Sequence, residues 1–336
     1  MLGRVPIRRV AVVTGAVAAL AASVIGVAGP AAADPASPLR ARDVAGVGSD
    51  TTQYVIDAVA SAYNAQAGVT VKLGSWDAVP PAGGSTTITT KKGCAPIARP
   101  NGGSAGIAAL LADTTGCIDF ARTVSPKATD GSQASLTFYA YARDGVAWGT
   151  IPATPAVTPQ TLTTAQLASI YTCQTTNWHT VLASLPSNAI HPKLPQPGSA
   201  LRKTFLTRIG LTDATVGSCV DQTLQQNQGD GLNGDTLAVF PHSVASWIAQ
   251  ANGVVTDNRG GFVLRAVNGK RPLTATGKLS NTYDPNFLYL AYNVVKTASA
   301  SKYTKFFART GFICKNPSIL TTYGFQALGS ACGTTS

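Results

Sequence analysis

Three short turns place glycine and hydroxyl residues where a helix is expected to begin. They are Gly46-Val47-Gly48-Ser49-Asp50-Thr51-Thr52, Asn101-Gly102-Gly103-Ser104-Ala105-Gly106 and Pro197-Gly198-Ser199-Ala200-Leu201-Arg202. A helix beginning carries backbone N–H groups without a partner in the helix and a partial positive charge, so it holds an anion without a dedicated side chain. Ser and Thr hydroxyls add donors, and Arg202 adds a two-pronged guanidinium suited to an oxyanion. One such turn is ordinarily a helix cap and nothing more. Three of them become informative if they converge on one cleft. The middle turn also reads Gly-x-Ser-x-Gly, the spacing of a hydrolase nucleophile elbow, in which Ser104 would attack with an Asp and a histidine such as His242. An elbow needs a buried strand directly before it, and the stretch 94–101 carries two prolines and an arginine instead.

The elements that must position these turns alternate between strand and helix patterns. Strands are expected over 43–48, 69–76, 117–121 and 136–141. Helices are expected over 51–66, with Val55, Val59 and Ala62-Tyr63 on one face and Ser49 or Asp50 as cap, and over 104–112, 163–171, 199–209, 243–251 and 302–309. Residues 80–90 and 126–135, rich in Gly, Pro, Ser and Thr, read as loops. This alternation implies an α/β protein with largely parallel sheets. A chain of 336 residues is long for one core, and two domains are the natural expectation. Trp76, Trp148, Trp178 and Trp247 are expected to fill packing positions, and Lys91-Lys92 to form a solvated turn.

Arg4, Arg8 and Arg9 precede a nearly unbroken apolar run over 10–29, and Ala31-Ala32-Ala33 follows it. This pattern is that of a secretory signal over 1–33. No cysteine stands at the cleavage site, so no lipid anchor is expected, and the protein is expected to be secreted or held in the cell envelope. Removing three arginines takes the formal charge from +11 to +8. A basic secreted chain attracts anionic ligands, acidic wall polymers or lipid head groups. Nucleic acid is not favoured, because no dense Lys/Arg cluster is interleaved with aromatics. The six cysteines all lie beyond the signal, in an oxidising compartment, and sequential disulfides are expected: Cys94–Cys117, Cys173–Cys219 and Cys314–Cys332. No metal or cofactor is expected, since Cys-x-x-Cys is absent and His179, His191 and His242 are scattered.

Several segments, in order, resemble the phosphate-binding proteins that serve ABC transporters. The stretch 162–178, ending Cys173-Gln174-Thr175-Thr176-Asn177-Trp178, resembles a helix and tryptophan turn of that family. Gly46-Val47-Gly48-Ser49-Asp50-Thr51 resembles its Gly-x-Gly-x-Thr-Phe opening, and Gly102-Gly103-Ser104-Ala105-Gly106-Ile107 its Gly-Ser-x-Gly-Gly-Ile turn. Asp119-Phe120-Ala121-Arg122-Thr123-Val124-Ser125-Pro126 is similar to Asp-Phe-Gly-Ala-Ser-Asp-Ala-Pro. Gly198-Ser199-Ala200-Leu201-Arg202-Lys203-Thr204-Phe205 is similar to Gly-Ser-Gly-Thr-x-x-x-Phe, and Tyr292-Asn293-Val294-Val295 completes the order.

The resemblance implies a two-lobed type II periplasmic-binding-protein fold with a ligand cleft between the lobes. One lobe would be 34–142 plus 286–336 and the other 143–285, with crossings near 141–146 and 283–290. It implies a non-catalytic, monomeric solute-binding protein that captures a phosphate-like oxyanion and serves an ABC transporter permease. The ligand residues carried over are Ser49, Asp50, Thr51, Ser104, Arg122, Thr123, Ser199 and Arg202. The chain departs from the family at that site. Val124 stands where the family has its proton-accepting aspartate, Asp50 where it has a Thr donor, and Ala200-Leu201 where it has Gly-Thr. Asp50 therefore points to a protonated anion, to a ligand with hydroxyls or amines, or to a cap. A second expectation is a secreted binding or adhesion module that keeps the fold without transport.

Overall fold

The computed structural model describes residues 34–80 and 84–336, and the expected signal segment lies outside the described residues. Eight strands form the path of one ten-stranded sheet. In chain order they are β1 (Val44–Gly48), β2 (Leu73–Ser75), β3 (Phe120–Thr123), β4 (Leu136–Thr150), β5 (His191–Pro195), β6 (Asp221–Leu224), β7 (Ala238–Ser243) and β8 (Leu288–Lys296). Their spatial order is β2-β1-β3-β8-β4-β7-β5-β6. Val263–Leu264 and Gln326–Ala327 pair with β4 as short additions.

The expectation of largely parallel sheets holds only at the two ends. β1 is parallel to β2 and β3, and β5 is parallel to β6 and β7. The centre is antiparallel: β8 pairs with β3 and β4 in opposite sense, and so does β4 with β7. The reason lies in β4, which runs for fifteen residues instead of stopping at 141. Its first part pairs with β8, and its part from Val146 onward pairs with β7. Arg143, Asp144 and Gly145 break the apolar pattern, yet neighbours on both sides keep the backbone hydrogen-bonded and extended. One strand thus serves two halves of a two-lobed α/β fold.

The first half packs α1 (Gln53–Asn64) and α2 (Gly103–Ala112) on β1, β2 and β3. Val55, Ile56, Val59, Ala60 and Tyr63 form the buried face of α1, following helical spacing. Ile107 and Leu110 of α2 join Val47, Trp76 and Ala121 in a separate core patch. The chain then forms α3 (Thr164–Tyr171), whose Thr163 and Gln166 make a reciprocal capping box. The second half carries α4 (Ala200–Arg208) and α5 (Val244–Ala251), capped by Ser199 and Ser243. The helix expected over 302–309 is instead a 3-10 stretch, Thr297–Tyr303, followed by the single turn Thr304–Phe307.

Trp148 and Trp178 are fully buried and stack at 6.5 Å, while Trp247 is half-buried under the guanidinium of Arg259. Lys91 corrects the expectation of a solvated turn: it is buried, paired with Asp119 at 2.6 Å and bonded to the carbonyl of Gly116. All three sequential disulfides are present. Each closes a local loop and stabilises by roughly 3 kcal/mol in the chain-entropy picture. Among the described residues no helix is long and apolar enough to cross a membrane.

α2 lies so close to the end of β1 that a Cβ on Gly106 would stand 2.6 Å from the Cα of Gly48. Gly106→Ala should therefore lower stability by roughly 1–3 kcal/mol in urea unfolding, through overpacking of backbone against backbone.

Candidate functional site

The three glycine turns do converge. Gly102, at φ +116°, approaches Gly198 so closely that an added Cβ would meet its carbonyl oxygen at 2.3 Å. The N–H of Ser104, in the first turn of α2, donates to that same carbonyl at 3.2 Å. Beneath them a Cβ on Gly103 would lie 2.7 Å from both Thr123 Oγ1 and Ala200 Cβ. The beginnings of α2 and α4 thus meet across the boundary between the halves. The turn after β1 lies against them through Gly48 and Gly106.

Asp50 and Thr51 follow that turn and reach the second half. The loop after β6 presents Gln225, Gln226 and Asn227 in succession, and all three amide NH2 groups donate to the Asp50 carboxylate. Gln226 and Asn227 also donate to Thr51 Oγ1, at 2.6 and 3.0 Å. Asn101 extends the belt, donating to Gln225 at 2.9 Å and accepting from Gln196 at 2.9 Å. Asn227 adopts a left-handed backbone (φ +59°), tolerable for Asn, and its side-chain oxygen accepts from Ser243 N. The amide run is thereby locked to the start of α5. Sequence reasoning passed over these amides, because they titrate nothing and follow no period. Their one visible signal is the uncharged run Gln225-Gln226-Asn227-Gln228 directly after a strand.

Burial pushes the Asp50 carboxyl up to about 7, against hydrogen bonds from Gln225, Asn227 and Gln226 that lower it. Ser49 is fully buried, and among the described residues its hydroxyl has no partner and caps nothing. The expectation that Ser49 or Asp50 caps the first helix is thus corrected: one hydroxyl stays free, and the other side chain spans the cleft. Thr123 is also fully buried and accepts from Ser125 N at 3.2 Å.

The two arginines differ from expectation. Arg202 is no open fork, because its guanidinium is consumed by Asp213 at 2.7 Å, the Pro195 carbonyl at 3.0 Å and Gln222 at 2.5 Å. Its neighbour Ser199 acts as a cap, accepting from Arg202 N at 3.0 Å and donating to Gln226. Arg122 is fully buried behind the cleft. It donates to Ser75 Oγ and to the carbonyls of Gly48 and Trp76, at 3.2 and 2.9 Å, and its Nε is unpartnered. Burial lowers the Arg122 pKa, and the charges of Asp57, Asp77, Tyr141 and Asp50 raise it. Asp57 and Asp77 form a carboxyl pair beside it. Burial raises Asp57, and the charge of Asp77 raises it further. Burial raises Asp77 too, so the pair favours a shared proton over two charges. Arg122 thus acts on the cleft through its field and not by contact.

Where β4 and β8 pass between the halves, Asp144 accepts from Ser243 Oγ at 2.6 Å, Ala245 N at 2.8 Å, Gly145 N at 2.6 Å and the Tyr289 hydroxyl. Burial still pushes its pKa up to about 6. Ser104 lies inside α2 and not on a strand-to-helix elbow. The His242 ring bonds the Ser243 carbonyl at 2.7 Å and stacks on Phe262, and burial lowers its pKa to about 4.

A family model described as a PBP superfamily domain matches residues 30–326. Solved structures with a similar fold include an ABC-type phosphate transport receptor from Vibrio cholerae, 21% identical with a TM-score of 0.58, covering 84% of this chain and 99% of that one. An ancestral soluble variant of the human phosphate binding protein is 14% identical with a TM-score of 0.53, covering 86% of this chain and 91% of that one. The phosphate binding protein from Stenotrophomonas maltophilia is 14% identical with a TM-score of 0.51 and the same coverages, 86% and 91%. No curated protein matches the chain.

Two outcomes follow from the buried charges. Arg122→Ala should cost about 3–5 kcal/mol in urea unfolding, because it leaves the Asp57–Asp77 pair without its counter-charge. Asp50 and Asp144 hold their protons up to about 7 and about 6 when folded, whereas an unfolded Asp loses its proton near pH ~4. Within that window the native state binds more protons, so stability falls as pH rises. This stabilisation is complete below about pH 4 and gone above about pH 7. Carboxyls such as Asp113 and Asp221, whose pKa is lowered, act below the window, while His242, lowered to about 4 by burial, gains stability as pH rises to ~6.5 and offsets part of the decline in the lower half of the window. Urea midpoints between pH 4.5 and 8 should show the decline, and Asp50→Asn should flatten its upper part.

Proposed function

The chain belongs to the PBP superfamily domain family, and on that premise we propose that it is an exported, non-catalytic solute-binding protein that closes two lobes over a small, proton-bearing oxyanion. The observation that carries this reading is the donation of three amides from the second half to one carboxylate of the first. A carboxylate is itself an oxyanion, so the site is already arranged as a set of donors around one. The Ser49 hydroxyl, which has no partner among the described residues, and the Thr51 hydroxyl add donors beside it, and Ser104 offers its hydroxyl, since its N–H is held by the Gly198 carbonyl. Arg122 supplies positive potential from beneath, Thr123 supports the floor, and Ser199 fixes Gln226.

Asp50 selects the ligand class. An ionised carboxylate repels a fully ionised anion by about 1 kcal/mol at close range even at high dielectric. It accepts a hydrogen bond from an anion that still carries a proton. Hydrogen phosphate meets this requirement, and the similar structures named above are phosphate receptors and phosphate binding proteins. The lobes would be 34–142 with 286–336, and 143–285, turning where β4 and β8 pass between them. The monomer would hand its ligand to an ABC transporter permease.

One observation favours a second reading. The Asp50–amide bonds close the cleft using the chain's own groups, as a binding or adhesion module that no longer transports would. Hydrolysis at Ser104 gains no support from its place within α2.

Thermal denaturation with phosphate, sulfate and molybdate tests the leading reading. Phosphate at a hundred times its dissociation constant should add about 2.7 kcal/mol of stability. Sulfate, which has no proton to offer near neutral pH, should bind about tenfold more weakly or worse, and Asp50→Asn should narrow that gap. Absence of any shift with all three anions would leave the second reading standing.

A further inference from the structure

We propose a second, separate anion site: a basic groove along the lobe boundary that takes a linear chain of at least two phosphate groups. Two adjoining cavities, of about 340 Å³ and 170 Å³, share Pro126 and Arg208 as lining residues. Lys127 and Lys203 line the larger cavity and Arg143 the smaller. None of these four cations makes an ion pair among the described residues. Arg143 and Lys203 are exposed, and Arg208 is half-buried, its buried Nε without a partner among the described residues. Lys127 and Arg208 are steadied by the carbonyls of Leu136 and Leu288, at 2.8 and 3.3 Å, so two of the cations are held in place. Among the described residues Asp130 is the one carboxylate lining the groove; Ser132 holds it ionised near Lys203, so it offsets one of the four positive charges and leaves the groove basic.

The arrangement selects the ligand. Arg208 stands on the wall common to both cavities, so it can serve two successive anionic groups. The cations come from three elements: the loop after β3, α4, and β4 where it crosses. A tetrahedral phosphate offers oxygens in several directions and can meet donors from all of them, whereas a carboxylate offers two oxygens in one plane. The site does not depend on the reading of Asp50. It draws on none of the residues assigned to that cleft.

Isothermal titration calorimetry at low and at physiological salt tests the groove. Tripolyphosphate should bind with an affinity that falls as salt rises. Arg143→Glu combined with Lys203→Glu should weaken that binding about tenfold or more. Lys270→Glu combined with Lys315→Glu changes the net charge equally but lies off the groove, and should weaken it little. Poly(glycerol phosphate) as a second probe separates diester recognition from recognition of a free oligophosphate, and loss of either in the groove variant supports the proposal. Asp50→Asn should change tripolyphosphate affinity far less than the groove variant does, which separates the groove from the cleft. The proposal is overturned if the natural chain binds neither probe, if both double variants lose affinity equally, or if citrate competes as well as tripolyphosphate.

Discussion

A guanidinium with no access to water organises the first half of this protein. Arg122 sits at the end of β3 with its side chain sealed among β1, the segment after β2, and α1. Removing such a charge from water costs several kcal/mol unless partners restore the lost solvation. The chain answers with two carbonyls, a serine hydroxyl and the Asp57–Asp77 pair. Those partners fix the end of β1 at Gly48, and hence the direction in which Ser49, Asp50 and Thr51 leave it. The geometry of the cleft is therefore a consequence of how one buried charge is balanced.

That balance also explains why Asp50 is tolerable where it stands. An isolated carboxylate there would be costly, and burial does raise its pKa. The amides of Gln225, Gln226 and Asn227 return hydrogen bonds, and the field of Arg122 favours the charged form. The result is a group poised near neutrality that can accept a proton from a ligand or keep its own. Amides suit this position better than cations. A lysine there would pair with Asp50 and lock the halves together. Amide donors hold the carboxylate less firmly than a buried cation would, each bond to a charged acceptor contributing roughly 1.5–3 kcal/mol against water.

Much of the framework was legible in the residues. The buried face of α1 and the glycine turns before α2 and α4 follow from spacing and residue type, and the expectation of sequential disulfides holds. What stayed hidden depends on partners distant in sequence. β4 looks short because a charged pair and a glycine interrupt it, and only its neighbours reveal its length. Lys91 looks solvated until Asp119 is found beside it. Arg122 and Arg202 look like anion forks until their nitrogens are counted against carbonyls, amides and a carboxylate of the chain itself. Residue type announces that a guanidinium needs acceptors. It does not say whether the fold or a ligand supplies them.

The cleft and the basic groove lie along one boundary, and this has a thermodynamic consequence. Between them the halves touch through Ser125 Oγ with the Ala200 carbonyl and Thr204 Oγ1 with the Val124 carbonyl, both at 3.3 Å. These bonds are long and neutral, so they contribute little to holding the halves together. A ligand bridging cations on both walls of the groove would favour the closed arrangement, and so would a ligand between Asp50 and the amide belt. Two ligands that prefer the same arrangement bind with positive coupling, and by linkage each must strengthen the other equally. Two sites of different chemistry on one such boundary would be coupled through closure alone, with no further pathway required between them.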